Sequence, residues 1–354
     1  MNINDNKNSQ GPFEGGDDNE EEIEETEDNI INKEKELIKN ERQFLLNIIK
    51  KINLLTEDSN SNNYCGKKTI SSISQFCYSI KKLKNKLNDP SIDDSKIIDI
   101  IFNLIFNNNI NEYEFDEQIS KKLLEDLLLL NKKNNENYFF DRSPSLRKFV
   151  LIVYISSLIH LYLCVVSPPG QGKTTAARAI ARIRSDILQI QSLEPFYLHT
   201  FHSTTKPNDF YGSTTIIDSK IEFKYGRLTS ALIEGNVFIA DEFNISSIEN
   251  MSSVIPILEH IFNENIIIPG IEDEIQISST FFFIICQNEG ISGRNELPDK
   301  MKYKTRKIYY PNQSEKEIEE ILNSSAMNTF PSINADVNLP YLNSIFESII
   351  VVEP

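Results

Sequence analysis

Ser167-Pro-Pro-Gly-Gln-Gly-Lys-Thr174 follows directly on the apolar run Leu161–Val166. A strand, a glycine-bearing loop and a Lys-Thr pair at a helix start make a cradle for an oxyanion. Gly170 and Gly172 let backbone N–H groups turn inward and come close to phosphate oxygens. The helix opening at Thr174 and running to Arg184 adds the partial positive charge of its N-terminus. In this spacing the Lys173 ammonium reaches the β- and γ-phosphates and the Thr174 hydroxyl holds Mg²⁺. Ser167, Pro168, Pro169, Gly170, Gln171, Gly172, Lys173, Thr174 and Thr175 are the expected nucleotide-binding segment. One position departs from G-x-x-x-x-G-K-[ST]: Ser167 stands where the pattern has glycine. A small residue can still turn there. The plain alternative is an ordinary Gly/Pro turn before a helix, and the rest of the chain weighs against it.

Two further apolar runs end in polar groups. Val237–Ala240 runs into Asp241-Glu242. A carboxylate at a strand end beside a phosphate loop coordinates Mg²⁺, directly or through water, so Asp241 joins Thr174 as an expected metal ligand. Glu242 is the expected base that orients and deprotonates the attacking water. Phe281–Cys286 ends in Gln287-Asn288. An amide there can bond both the γ-phosphate and the water, which makes Asn288 the second expected catalytic group.

These groups need a scaffold that brings strand ends together. From Asp141 onward the chain alternates short apolar strands (Leu161–Val166, Phe196–Thr200, Asn236–Ala240, Thr280–Cys286) with helices. The first helix, Ser143–Leu158, is capped by Ser143 and carries Pro144 in its first turn. Near-continuous apolar strands in βα alternation predict a parallel sheet covered by helices on both faces, with ligands at the strands' carboxyl ends.

The three pieces in this order resemble the Walker A, Walker B and sensor 1 motifs of an AAA+ ATPase. Intervening segments are similar to the midasin/dynein-related, MoxR-like branch. They are His202-Ser-Thr-Thr-Lys-Pro-Asn-Asp-Phe-Tyr-Gly212, Tyr225-Gly-Arg-Leu-Thr-Ser-Ala-Leu-Ile-Glu-Gly235, Asp241-Glu-Phe-Asn244, Pro256-Ile-Leu-Glu259 and Gly293-Arg-Asn-Glu-Leu-Pro298. The resemblance covers about Ser143 to Leu322. It implies a P-loop NTPase core of three layers around a parallel sheet, ATP and Mg²⁺ as ligands, and other AAA+ modules as ring partners. It also implies two inserted hairpins, at Thr214–Phe223 and Ile266–Ile277. The family supplies an arginine to a neighbour's γ-phosphate, where a planar cation stabilises transition-state charge. The family's Arg-Phe pair falls on Lys304-Thr305, with Ile308–Tyr310 as the next strand. The expected finger is therefore Lys304, or Arg306 if displaced, with Arg294 a further candidate.

The expected organisation is a disordered acidic tail (1–28), an all-α region (29–140), the AAA+ core (141–311) and a partial helical lid (312–354). Helices are expected over Ile30–Leu55, Ile70–Leu87, Ser91–Phe106 and Asp116–Leu130, with Ser314–Leu322 opening the lid. No Lys or Arg follows Lys316, so this chain offers no sensor 2 arginine, and the apolar ending Ile349–Val352 reads as a lid cut short. The expectation is a fragment of a longer protein or a gene model that stops early.

The net charge of −16 repels nucleic acid and anionic membranes. Cys65, Cys77, Cys164 and Cys286 have neither metal nor redox spacing, which fits a reducing compartment, cytoplasmic or nuclear. His199 and His202 lack ligand partners at metal spacing. The apolar run Phe149–Val166 is broken by Ser156, Ser157 and His160, and reads as a buried helix and strand, not a membrane span. Three functions remain: an ATP-hydrolysing module that remodels a protein or ribonucleoprotein partner; a nucleotide-binding, non-hydrolysing regulatory module; or an interaction protein centred on residues 1–140.

Overall fold

A computed structural model describes residues 73–107, 110–133, 143–192, 194–217, 219–259, 265–268 and 274–317. The expected acidic tail, the helix at Ile30–Leu55 and the lid beyond Glu317 lie outside the described residues. Three helices come first: Ile73–Leu87 (α1), Asp94–Phe106 (α2) and Glu117–Lys133 (α3). Asp93 caps α2 by accepting from the Ser95 N–H, the expected use of a short carboxylate at a helix start. Pro144–Leu158 (α4) follows. The Ser143 hydroxyl accepts from the Leu146 N–H at 3.2 Å and Pro144 occupies the first turn, as the sequence predicts.

The sheet is built from Leu163–Ser167 (β1), Tyr197–Thr200 (β2), Val237–Asp241 (β5), Phe282–Asn288 (β8) and Arg306–Tyr309 (β9). Its order is β2-β5-β8-β1-β9, and every pairing is parallel. The four strands expected from apolar runs are all present, each starting a residue or two later than expected. Residues Leu163 to Val166, Val237 to Ala240 and Phe282 to Cys286 are buried, so both faces of the central strands are covered. That is why they read as continuous apolar runs and not as alternating ones.

Between β1 and β2 lies Lys173–Leu188 (α5). After β2 come Pro207–Tyr211 (α6), the strands Gly212–Ile217 (β3) and Lys220–Tyr225 (β4), and Arg227–Glu234 (α7). After β5 come Ile248–Ser253 (α8), Ile255–Glu259 (α9) and the strands Asn265–Ile267 (β6) and Glu274–Gln276 (β7). Asp299–Lys304 (α10) joins β8 to β9. Strands β3 and β4 form one antiparallel pair and β6 and β7 another, where the two hairpins were expected. Each presents an exposed isoleucine, Ile216 at 74% and Ile267 at 72%.

With no tryptophan, phenylalanine fills the core. Phe201 packs edge-on against Phe243 at 4.8 Å between centroids, and Phe238 lies 5.5 Å from Phe283. The helical region is tied to the sheet layer by polar contacts. The Lys82 ammonium donates to His160 Nε2 at 2.7 Å, Lys148 pairs with Glu114 at 3.1 Å, and the Asn111 amide donates to the Tyr309 carbonyl. The run Phe149–Val166 is split between α4 and β1, turning at His160 in the left-handed region (φ 57°). No helix among the described residues is long and apolar enough to cross a membrane.

Candidate nucleotide site at the carboxyl ends of the central strands

Register fixes the site. Ser167 at the end of β1 pairs with Asn288 at the end of β8, and Asp241 at the end of β5 pairs with Cys286. Three central strands therefore finish almost level, and each finishes in a polar residue.

The loop after β1 turns through left-handed backbone at Gly170 (φ 78°) and Gly172 (φ 90°). A Cβ at Gly170 would meet nothing within 4 Å, and one at Gly172 would lie 3.6 Å from the Tyr310 hydroxyl. Backbone conformation, not lack of room, demands glycine here. Ser167 needs no such freedom. It is still in strand β1, buried, with its hydroxyl donating to the Pro168 carbonyl at 2.8 Å. Pro168, Pro169, Gly170 and Thr175 are exposed, and Gln171 is half-buried.

Lys173 opens α5 and is 5% exposed. Its ammonium donates to Asn288 Oδ1. Next to it, the Thr174 hydroxyl donates to Asp241 Oδ1 at 2.8 Å. Glu242 adopts left-handed backbone (φ 55°, ψ 31°). For a non-glycine residue this costs about 1–2 kcal/mol and turns the chain sharply off the strand. The turn is held by Phe201 N–H to the Asp241 carbonyl (2.8 Å) and Ile245 N–H to the Glu242 carbonyl (3.0 Å). The Asn288 amide nitrogen donates to Glu242 Oε1. Lys173, Thr174, Asp241, Glu242 and Asn288 thus form one contiguous polar cluster.

Sequence reasoning missed the groups that frame this cluster. The Asn244 amide donates to the Asn288 carbonyl at 2.9 Å. Asn295 bonds the Asn244 carbonyl through its N–H and the Ser246 carbonyl through its side chain, both at 2.8 Å. The Asp-Glu-x-Asn spacing was the available signal for Asn244. Arg294, a further candidate for the finger, places Nη1 2.8 Å from Oε2 of this chain's own Glu242.

Lys304 and Arg306 lie elsewhere. Lys304 ends α10 and is half-buried, whereas Arg306 opens β9 and is 4% exposed. In the parallel register Arg306 pairs with Leu163, at the amino end of β1. At about 3.3 Å per residue, that is roughly 13 Å of strand from the Ser167 end.

Two thiols, Cys164 and Cys286, are buried in the central strands. Burial pushes the Cys164 thiol up to about 12. Cys286, below the cluster, is raised by burial first and then by the Asp241 carboxylate. The His199 ring packs edge-on against Phe201 at 4.6 Å. Among the described residues no group of His, Cys, Asp and Glu side chains is dense enough to cage a metal alone.

A parallel sheet of this order, with a phosphate loop on β1 and an acidic pair on β5, defines a P-loop nucleotide-binding protein. Residues 162–302 match the family described as the AAA domain of the dynein-related subfamily. No curated protein sequence matches the chain. Among solved structures, a candidate ATPase from Cytophaga hutchinsonii ATCC 33406 is 18% identical with a TM-score of 0.42, over 60% of each chain. NtrX from Brucella abortus is 13% identical with a TM-score of 0.40, over 68% of this chain and 49% of that one. The same protein in complex with ATP gives 13% and 0.41, over 68% and 51%. The chain thus spans 60% of the first and about half of the other two.

Proposed function

We propose that this domain binds ATP with Mg²⁺ and hydrolyses it, using the cluster at the ends of β1, β5 and β8. The observation that carries the reading is the contact chain itself: Lys173 to Asn288 to Glu242, beside Thr174 to Asp241. The backbone N–H groups of Gly170 to Thr174 and the α5 N-terminus receive the phosphates. Lys173 exchanges the neutral Asn288 oxygen for charged phosphate oxygens, which strengthens the contact. Asn288 then orients water at the γ-phosphate, and Glu242 accepts its proton.

The residues present fit Mg²⁺. The Thr174 hydroxyl and the Asp241 carboxylate supply hard oxygen ligands 2.8 Å apart, with phosphate and water oxygens left to complete an octahedron. When bound, the ion would neutralise charge on the phosphates.

Replacement of Glu242 by Gln tests this. The amide keeps the shape but cannot take the proton, so turnover should fall about 10²–10⁴-fold while ATP binding persists. A variant as fast as the wild type would remove Glu242 from the mechanism.

A non-hydrolysing regulatory module is the second reading. It is favoured by Lys304 standing where the resemblance expects arginine, since an ammonium cannot reproduce the planar fork. Absence of turnover at protein concentrations high enough for association would select it. Further parts of the proposal are a ring of AAA+ modules and a protein or ribonucleoprotein partner. The exposed Ile216 and Ile267 on the two hairpins support a partner-contacting role.

A further inference from the structure

Arg294 lies in the loop between β8 and α10, yet its side chain is only 17% exposed, and that of its partner Glu242 24%. We propose that Arg294 is the positioning residue for Glu242 within its own chain. It holds one carboxylate oxygen so that the other can face water when Asn288 turns to phosphate. The proposal rests on the hydrolytic reading above.

Each oxygen of Glu242 has its own partner. Oε1 accepts from the Asn288 amide, and Oε2 faces Arg294 Nη1 at 2.8 Å. The two contacts differ in kind. The Asn288 contact is a directed hydrogen bond. The Arg294 contact is a charge contact, because its N–H is not aligned on Oε2 for a hydrogen bond. Attraction between charges in a partly buried setting is strong and tolerates rotation of the carboxylate.

The two contacts also differ in permanence. Asn288 is bound to Lys173, the group that must move onto incoming phosphates. Phosphate arrival therefore disturbs the donor on Oε1. Arg294 has no such link to the phosphate loop. Its neighbour Asn295 is fastened to the Asn244 and Ser246 carbonyls, both in the short turn that Glu242 opens. Arg294 and Glu242 thus sit on two segments bolted together. When Asn288 leaves, the Arg294 contact keeps Glu242 from swinging towards Lys173 or the metal ligands, and Oε1 is released for water. A guanidinium committed to its own chain's Glu242 is also not free to serve as a finger for a neighbour.

The test is a set of variants assayed for turnover, for binding of a labelled non-hydrolysable ATP analogue, and for melting. Arg294→Gln should lower kcat about tenfold or more, since small misplacement of a reacting group is costly, and leave KM and analogue binding unchanged. Arg294→Lys should recover part of the loss. In a Glu242→Gln background, Arg294→Gln should cost nothing further, which neither a phosphate-binding nor a folding role would produce. In melting, the double variant should lose less than the sum of the single ones. Wild-type kcat in both Arg294 variants, a raised kcat, or the same further loss without Glu242 would each overturn the proposal. Should Arg294→Gln not fold, Arg294→Lys is read in its place: a fall in kcat at unchanged analogue binding supports the role, and an unchanged kcat overturns it. A wild-type chain without turnover fails the hydrolytic reading alone. The melting cycle then decides the pairing, additive losses counting against it.

Discussion

The Lys173 ammonium donates to the side-chain oxygen of Asn288, 115 residues further along the chain. The bond ties the phosphate loop to the tip of the neighbouring strand, because Ser167 and Asn288 are register partners. It also leaves a cation that is 5% exposed bonded to a neutral amide. A buried charge with a neutral acceptor is poorly compensated, and phosphate oxygens satisfy it better.

Lys173→Ala removes that charge. A hydrogen bond to a charged group contributes about 1.5–3 kcal/mol, so ATP should bind roughly ten- to hundred-fold more weakly at 25 °C. Titration with labelled ATP reads this directly, and equal affinities would remove Lys173 from the site.

Gly172→Ala probes the backbone of the same loop. The methyl group meets only the Tyr310 hydroxyl, at 3.6 Å, but the residue must stay at φ 90°. A left-handed alanine costs about 1–2 kcal/mol. Melting should fall by a few degrees, roughly 2–4 °C per kcal/mol for a domain of this size. ATP binding should weaken as well, because the N–H groups on either side converge only in that conformation. Unchanged melting and binding would show that the loop relaxes without cost.

How far this site was legible follows from what kind of signal each residue leaves. Apolar runs ending in Ser167, Asp241 and Asn288 marked the strand ends, since a parallel sheet buries both faces of its strands and its loops carry the chemistry. At Ser167 the departure falls on a residue that is still in the strand, where no glycine conformation is needed. Arg294 was visible as a charge in a loop, but its partner depends on how Asn295 fastens that loop to the turn after β5. No periodicity encodes such a contact. The Lys82–His160 bond is illegible for the same reason: Lys82 is one of four lysines between 81 and 86, and only packing of α1 turns it inward.

That inward turn has a pH signature. Burial, and then the Arg184 guanidinium, lower Lys82 from 10.5 to about 8. His160 is lowered to about 2 by burial first and then by Lys82 and Arg184, so its ring is neutral and can accept from Lys82. Between about 8 and 10.5 the unfolded chain holds more protons at Lys82 than the folded chain does. Stability therefore rises with pH across that window, and the penalty is present in full below it. Lys82→Met removes the group, so the melting temperature of the wild type should gain on that of the variant from pH 8 to 10.5. A constant difference would mean that Lys82 keeps its ordinary affinity for protons.

Ser143→Ala should cost about 1 kcal/mol through loss of the α4 cap. The same hydroxyl donates to Glu317, which is held below the usual carboxylate range by Ser143 first and then by the Ser314 backbone. The cap thus also joins the start of the core to the segment after β9. Ser143→Thr should restore melting, and an alanine variant with wild-type melting would show both contacts to be dispensable.

Lys304 and Arg306 make opposite predictions, and together they test the ring. Arg306 is 4% exposed, so Arg306→Ala removes a buried side chain and should act on stability, lowering melting at every protein concentration. Lys304 is half-buried at the end of a short helix and lies towards the amino end of the sheet, away from its own phosphate loop. If it meets a neighbour's γ-phosphate, turnover per module should rise with protein concentration in the wild type, and Lys304→Ala should flatten that rise without changing melting. Lys304→Arg should steepen it, because a planar guanidinium stabilises transition-state charge far better, by about 10³–10⁵-fold in the strongest cases. Should Arg306→Ala melt like the wild type and abolish the concentration dependence instead, Arg306 is the finger. β9 must then expose it on assembly.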